Sequence, residues 1–161
     1  MNFLPISVNI HNQQILFIGG GNVALSKIKL LMRYTHHFKV VAPDVLDAIR
    51  DLGCVEVVVK PYDKADLQNH LIVYAATNSR ELNARVRDDA HDMRCLVNVV
   101  DRPEQCDFVS PAIFKHNHMS VAVSSNGQDL HASVRWRNAI KQLFDDGKLP
   151  SLKCESEGGD I

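Results

Sequence analysis

"QQILFIGGGNVALSK", from Gln13 to Lys27, sets a short apolar run, three consecutive glycines and an amphipathic stretch side by side. Ile15 to Ile18 has the length and β-branched content of a buried strand. Val23 to Tyr34 places Ala24, Ile28 and Leu31 at helical spacing on one face. Glycine costs backbone order yet admits turns and close approaches that a Cβ blocks, so glycines at a strand-to-helix junction answer a geometric demand. Gly19, Gly21 and Ala24 fit G-x-G-x-x-[GA] with a strand before and a helix after, the context that gives the pattern its meaning. The first glycine then makes the tight turn, the second lets main chain approach a pyrophosphate, and the small third residue lets helix pack close to strand. Free N–H groups of the following helix, with its dipole behind them, face the anion. The alternative is a glycine-rich turn that holds no ligand.

The same alternation continues. Strand-length apolar runs recur at 38–42, 55–59, 71–76 and 96–100, rich in Val and Ile and nearly continuous, as when both faces of a parallel sheet are covered. Helical patterns fall between them at 45–52, 64–68 and 79–92, the last with Leu82, Val86 and Ala90 on one face. Ser79 and Asn78 compete as its N-cap. After Val100 the pattern changes. "DRPEQCDF" reads as a loop, "SPAIFKHNHMSVAVSS" as two strands about the polar turn 115–118, and 130–144 as a helix with Leu130, Val134, Ile140 and Leu143 inward, closed by Gly147 and Pro150. The fold expected is α/β: a Rossmann-like parallel sheet flanked by helices, with a C-terminal hairpin and helix. Residues 1–112 form the nucleotide-binding domain and 113–150 the hairpin and helix that complete a substrate cleft or a dimer contact. Residues 151–161 read as a frayed tail.

Composition narrows the function classes. The chain has 161 residues, 45% hydrophobic and 23% charged, the balance of an ordinary globular domain. A net charge of −1 gives no electrostatic reason to expect nucleic acid or an anionic membrane as partner. No basic leader or long apolar span is present, and the expected location is the cytoplasm. Cys54, Cys95, Cys106 and Cys154 are widely spaced, which reads as thiols rather than disulfides or a zinc site. His36 with His37, and His116 with His118, read as surface residues rather than metal ligands, so no metal site is expected.

One usual element is missing. The dinucleotide pattern places Asp or Glu about twenty residues beyond the glycines, on the ribose hydroxyl. Here the second strand runs into "KVVAPD", so Ala42 and Pro43 hold that place and Asp44 comes late. Asp44 either reaches the ribose or caps the next helix. With no arginine beside it for a 2′-phosphate, NAD is preferred to NADP.

Several stretches together resemble the precorrin-2 dehydrogenase family, the dehydrogenase module of sirohaem synthesis. They are "FLPI" from Phe3, "GGGNVA" from Gly19, "VVAP" from Val40, "AATN" from Ala75, "NVVD" from Asn98, "CDFVSPAI" from Cys106 and "VAVSSNG" from Val121. The resemblance implies NAD-dependent oxidation of precorrin-2 to sirohydrochlorin. Open sheet edges and the short C-terminal part lead to the expectation of a homodimer. The resemblance implies cofactor contacts at Gly19, Gly21, Asn22 and Val23, along Pro43 and Asp44, and at Thr77 and Asn78. It also implies that ribose recognition need not use the usual carboxylate. Asp101 matches the family's functional aspartate, in reach of a proton lost with the hydride; a turn-capping loop residue is its bland reading. Ser124 and Ser125 match site-lining serines that donate to substrate carboxylates, against ordinary hairpin-end serines. Lys115, Arg135 and Arg137 are further candidates for those carboxylates.

The match weakens after Gly127, where "QDLHASVRWRN" replaces the family's usual helix start. The short remaining chain leads to the expectation of dehydrogenase activity without efficient iron insertion. Two other readings stay open: a bifunctional dehydrogenase and ferrochelatase, and a non-catalytic dinucleotide-sensing domain.

Overall fold

The computed structural model describes residues 2–150, so the tail with Cys154 lies outside the described residues. The chain forms two compact units, the first ending at Val109 and the second beginning at Ser110.

The first unit is a five-stranded parallel sheet: β1 (Ile15–Gly20), β2 (Phe38–Val45), β3 (Val55–Val59), β4 (Ile72–Ala75) and β5 (Leu96–Val99). Its spatial order is β3-β2-β1-β4-β5, so the chain winds outward from β1 and then returns to β1's other side. That reversal opens a crevice at the carboxyl ends of β1 and β4, where such sheets bind ligands. The crossovers carry α1 (Asn22–Leu31), α2 (Asp47–Arg50) and α3 (Arg80–Asp92), with a 3-10 turn at Lys64–Leu67.

Period-two alternation sends Leu16 and Ile18 to one face and Ile15 and Phe17 to the other. The first face packs under Val86 and Ala90 of α3. The second packs under Ala24 and Ile28 of α1 and Ile49 of α2. Both faces are covered, which is why the strands read as continuous apolar runs. Phe17 stacks on Tyr74 with ring centroids 4.7 Å apart and meets Phe38 edge-on, so the second face is centred on aromatic rings.

Where element bounds differ from the sequence reading, local geometry accounts for it. β2 runs on through Pro43 and Asp44 to Val45, because the β1–β2 register shifts after Ile18 so that Gly20 pairs with Val45. A proline is tolerated at such an irregularity because it removes a donor the regular ladder would need. α1 stops at Leu31 rather than Tyr34. α2 shrinks to Asp47–Arg50 and is capped by no side chain.

The free edge of β5 is closed by the loop that follows it. Asp107 N–H donates to the Val97 carbonyl at 2.9 Å, and its carboxylate accepts the Val97 N–H at 2.9 Å. The Cys106 thiol takes the next rung, accepting from Val99 N–H at 3.2 Å. An edge so occupied offers no template for another strand.

In the second unit β6 (Ala112–His116) and β7 (Met119–Val123) pair antiparallel, and α4 (Leu130–Asp145) follows. Asp129 caps α4 by accepting the Ala132 N–H at 2.7 Å. The predicted inward face of α4 needs correcting: Leu130 and Leu143 are 67% and 41% exposed, while Ser133 is buried. Phe144 and Arg137 set the actual face. Phe144 packs against Phe114 and His116 with centroids 5.5 and 4.3 Å away, and Arg137 donates to the Ile113 carbonyl at 3.2 Å. Arg137 thereby ties α4 to the hairpin through one N–H, while its buried Nε has no hydrogen-bond partner among the described residues. Gly147, at φ +69°, ends α4 with its N–H on Phe144 and the Lys148 N–H on Leu143, both at 2.9 Å.

α3 ends with the same two bonds, Arg94 to His91 at 3.1 Å and Cys95 to Ala90 at 2.9 Å, but with Arg94 at φ +59° in the glycine position. A left-handed non-glycine residue is strained. Arg94→Gly is expected to stabilise the fold by about 0.5–1 kcal/mol, the strain relieved less glycine's extra unfolded-state freedom. Urea unfolding checks this as a higher midpoint at unchanged slope.

Candidate dinucleotide site

Three adjacent glycines meet three different surroundings. A Cβ built on Gly19, at φ +113°, would stand 2.3 Å from the Ala76 carbonyl oxygen and 2.6 Å from its carbon. Only a bare main chain lets the end of β1 pass the end of β4. A Cβ on Gly20 would stand 2.8 Å from the Asp44 carbonyl oxygen, where β1 meets the irregular end of β2. Gly21 has nothing within 4 Å. The first two glycines pack the fold, and the third faces open space at the start of α1.

Gly21 is the residue before that helix, and no side chain caps it. The first turn holds no acidic residue. Its N–H groups are left for an incoming anion, with the helix dipole behind them. A cleft of about 580 Å³ opens here. Its wall brings together Gly19, Gly21, Pro43, Asp44, Thr77 and Asn78, residues from the ends of three strands. Asn22 and Val23 are exposed on α1 next to the glycines but do not line this cleft. The cap alternative for Asp44 is overturned: α2 starts after Leu46, and Asp44 is an exposed wall residue. The fold also supplies an arginine that spacing along β2 did not reveal. Arg50 lines the wall, with Asp47 3.8 Å from its Nε.

The opposite rim is held by Asn83, which the sequence reading missed. Its Oδ1 accepts from the Thr77 N–H at 3.1 Å and lies 2.7 Å from the Thr77 hydroxyl, while its Nδ2 donates to the Thr77 carbonyl at 3.0 Å. Asn83 is 8% exposed, so these bonds form away from water and fix the turn after β4. A polar residue three positions before Val86 on the buried face of α3 was the available signal. Ser79, not Asn78, caps α3, accepting from the Leu82 N–H at 3.1 Å. Tyr62 closes the floor with its hydroxyl turned to the Asp89 carboxylate at 3.0 Å and the Arg85 guanidinium over its ring. Burial, then that hydrogen bond, pushes the Tyr62 phenol well above its usual range, so it stays neutral.

Asp101 lies past the end of β5, exposed, at φ +60° in a turn closed by the Arg102 N–H on the Val99 carbonyl at 3.2 Å. It does not line the nucleotide cleft. A left-handed aspartate is uncommon, and such residues cluster at functional sites. Its loop is tied down from both sides. Buried Asn98, a polar interruption in an apolar strand, donates from Nδ2 to the Phe108 carbonyl at 2.8 Å. Burial raises the Cys106 thiol, which therefore acts as a neutral hydrogen-bonding group.

Ser124 and Ser125 belong to the second unit. Each hydroxyl oxygen accepts a backbone N–H, from Asn126 at 3.3 Å and Asp129 at 2.9 Å, and so shapes the entry to α4. Among the described residues no group of three or more His, Cys, Asp or Glu is placed to hold a metal.

A glycine turn at the switch point of a 3-2-1-4-5 sheet, with an uncapped helix start above a cleft, defines a dinucleotide-binding domain of the Rossmann class. The profile of a family described as "Putative NAD(P)-binding" matches residues 6–112, and the chain belongs to that family. It is 40% identical over 131 residues to a siroheme synthase of Pseudomonas fluorescens, covering 79% of this chain and 28% of that one. It is 33% identical over 163 residues to a siroheme synthase of Psychrobacter arcticus, covering 98% and 30%. The chain thus spans about a third of the length of these relatives. A solved structure of SirC, precorrin-2 dehydrogenase, matches the fold with a TM-score of 0.76 at 24% identity, over 91% of this chain and 73% of that one. The resemblance carried by the sequence motifs and these neighbours agree.

The three surroundings separate two substitutions. Gly19→Ala must move backbone at Ala76 in a forbidden conformation, and is expected to cost about 3 kcal/mol or more of stability. Gly21→Ala is expected to leave the melting temperature within a degree or two, roughly the effect of an open-site surface change. It should still weaken nucleotide binding at least tenfold by calorimetry, because its Cβ occupies the phosphate's approach.

Proposed function

We propose that this chain oxidises precorrin-2 to sirohydrochlorin with NAD. The observation that carries the reading is a juxtaposition at the carboxyl edge of one sheet. A nucleotide cleft opens beside β1, and two strands away Asp101 is held in a left-handed turn. The relatives' names, siroheme synthase and precorrin-2 dehydrogenase, support the substrate.

The residues present fit NAD. Gly21 offers open space before an uncapped helix, Asn78 and Thr77 form one rim, and Asp44 and Asp47 the other. The two carboxylates disfavour a 2′-phosphate, and Arg50 stands beside Asp47. When bound, NAD supplies the hydride acceptor. Loss of hydride from a saturated ring carbon releases a proton as well, and the Asp101 carboxylate accepts it. Asn98 and Cys106 keep that carboxylate's loop on β5. Ser124 and Ser125, on the second unit, carry hydroxyls of the kind that donate to carboxylates.

The working form is a homodimer in the cytoplasm. Trp136, 69% exposed on α4, supports an apolar contact between copies, and the free thiols Cys54, Cys95 and Cys106 suit a reducing compartment. Among the described residues no helix is long and apolar enough to cross a membrane.

Anaerobic turnover of precorrin-2, followed by NADH absorbance, tests the reading. NAD binding without turnover would favour a sensor. Asp101→Asn is expected to lower kcat by about 10²- to 10⁴-fold with NAD affinity retained. Light scattering should give twice the chain mass, and a monomer at assay concentration removes the dimer.

A further inference from the structure

Charge in the nucleotide cleft is confined to one side. Of the described residues that line it, only Asp44, Asp47 and Arg50 are charged, and all three come from the segment where β2 runs into α2. The rest of the wall is glycine, apolar side chains, Thr77, Asn78 and Tyr62, whose phenol stays neutral. Asp44, Asp47 and Arg50 therefore decide how the wall receives a further charge at that end.

Their partners differ. The Asp44 carboxylate makes no hydrogen bond or ion pair with a described residue. The Arg50 Nε lies 3.8 Å from the Asp47 carboxylate, an ion pair too long for a hydrogen bond, and the Arg50 side chain donates to no described residue. Its charge is offset while its fork of N–H donors stays uncommitted. The Asp47 side chain is 96% exposed and has no other partner among the described residues, so its effect in the wall is on Arg50. In sheets of this class the end of β2 receives the adenosine ribose, with a carboxylate on the 2′-hydroxyl in NAD sites and an arginine on the 2′-phosphate in NADP sites. This wall holds both elements.

Resting on the reading of this cleft as the NAD site, we infer that Asp47 and Arg50 set its nucleotide specificity, with Asp47 suppressing a 2′-phosphate subsite at Arg50. Asp44, which has no protein partner, accepts from the ribose 2′-hydroxyl of NAD. A 2′-phosphate at the same end meets two carboxylates and a guanidinium already balanced by one of them. Without the Asp47 charge, Arg50 presents an unbalanced cation and a planar set of donors, the chemistry that takes a phosphate. The ligand class being discriminated is an adenosine 2′-phosphomonoester.

Calorimetry tests this without any turnover. NAD and NADP are titrated separately, at one salt concentration, into the wild-type chain, Asp47→Asn, Arg50→Met and the double variant. The wild-type chain is expected to bind NAD at least roughly tenfold more tightly than NADP. Asp47→Asn should strengthen NADP binding about tenfold and close most of that gap, the gain of one charge-assisted contact. Adding Arg50→Met to Asp47→Asn should cancel the gain, and raised salt should shrink it. Both side chains are exposed, so the variants are expected to keep the wild-type melting temperature. Equal NADP binding by the wild-type chain and Asp47→Asn, a gain that survives the loss of Arg50, or a wild-type preference for NADP overturns the inference while the NAD site stands. A wild-type chain that binds neither nucleotide removes the NAD reading itself, and the inference with it.

Discussion

The close pass of the Gly19 main chain over the Ala76 carbonyl is the contact on which the rest of the structure depends. With 2.3 Å between that oxygen and the place where a Cβ would be, β1 and β4 end at one level only because residue 19 has no side chain. The same approach sets the direction in which Gly20 and Gly21 leave the strand. It therefore fixes where α1 begins and where its unpaired N–H groups point. The nucleotide cleft follows from a packing constraint, and the binding function is added by Gly21, the glycine of the three that packs against nothing.

The polar residues around the cleft are not spread evenly. Asn83 and Asn98 are buried, each on a different element, and each fixes a loop at the carboxyl edge by bonding its backbone. Buried amides of this kind specify one arrangement, because any other leaves an unsatisfied polar group away from water. The sheet thus presents a rigid edge, and the chemistry proposed for Asp101 sits on a turn whose neighbours are bonded down.

The first unit was legible because its signals are local. Period-two and period-3.6 apolar patterns, a glycine motif between strand and helix, and Ser79 as a cap each depend on residues close in sequence. What escaped notice depends on distant pairs. Arg50 reaches the cleft only because β2 ends irregularly against Gly20, and no spacing along β2 encodes that. Asn83 reads as an ordinary helix residue until the β4 turn is placed beside it. The face of α4 was misread for a related reason. A periodic pattern says which residues are apolar, but the rotation about the axis is chosen by what lies opposite. Here the opposing surface is an aromatic hairpin that selects Phe144 over Leu143 and Leu130.

The way β5 is finished has a dynamic corollary. The Val97 and Val99 amides are held by a carboxylate and a thiol rather than by a neighbouring strand. Their hydrogen exchange is governed by how often residues 102–107 lift away, while amides inside the β1–β4 ladder wait for the sheet itself to open. Two protons on one strand thereby become reporters of a hinge, and they sense motion at the carboxyl edge without a label near the proposed chemistry.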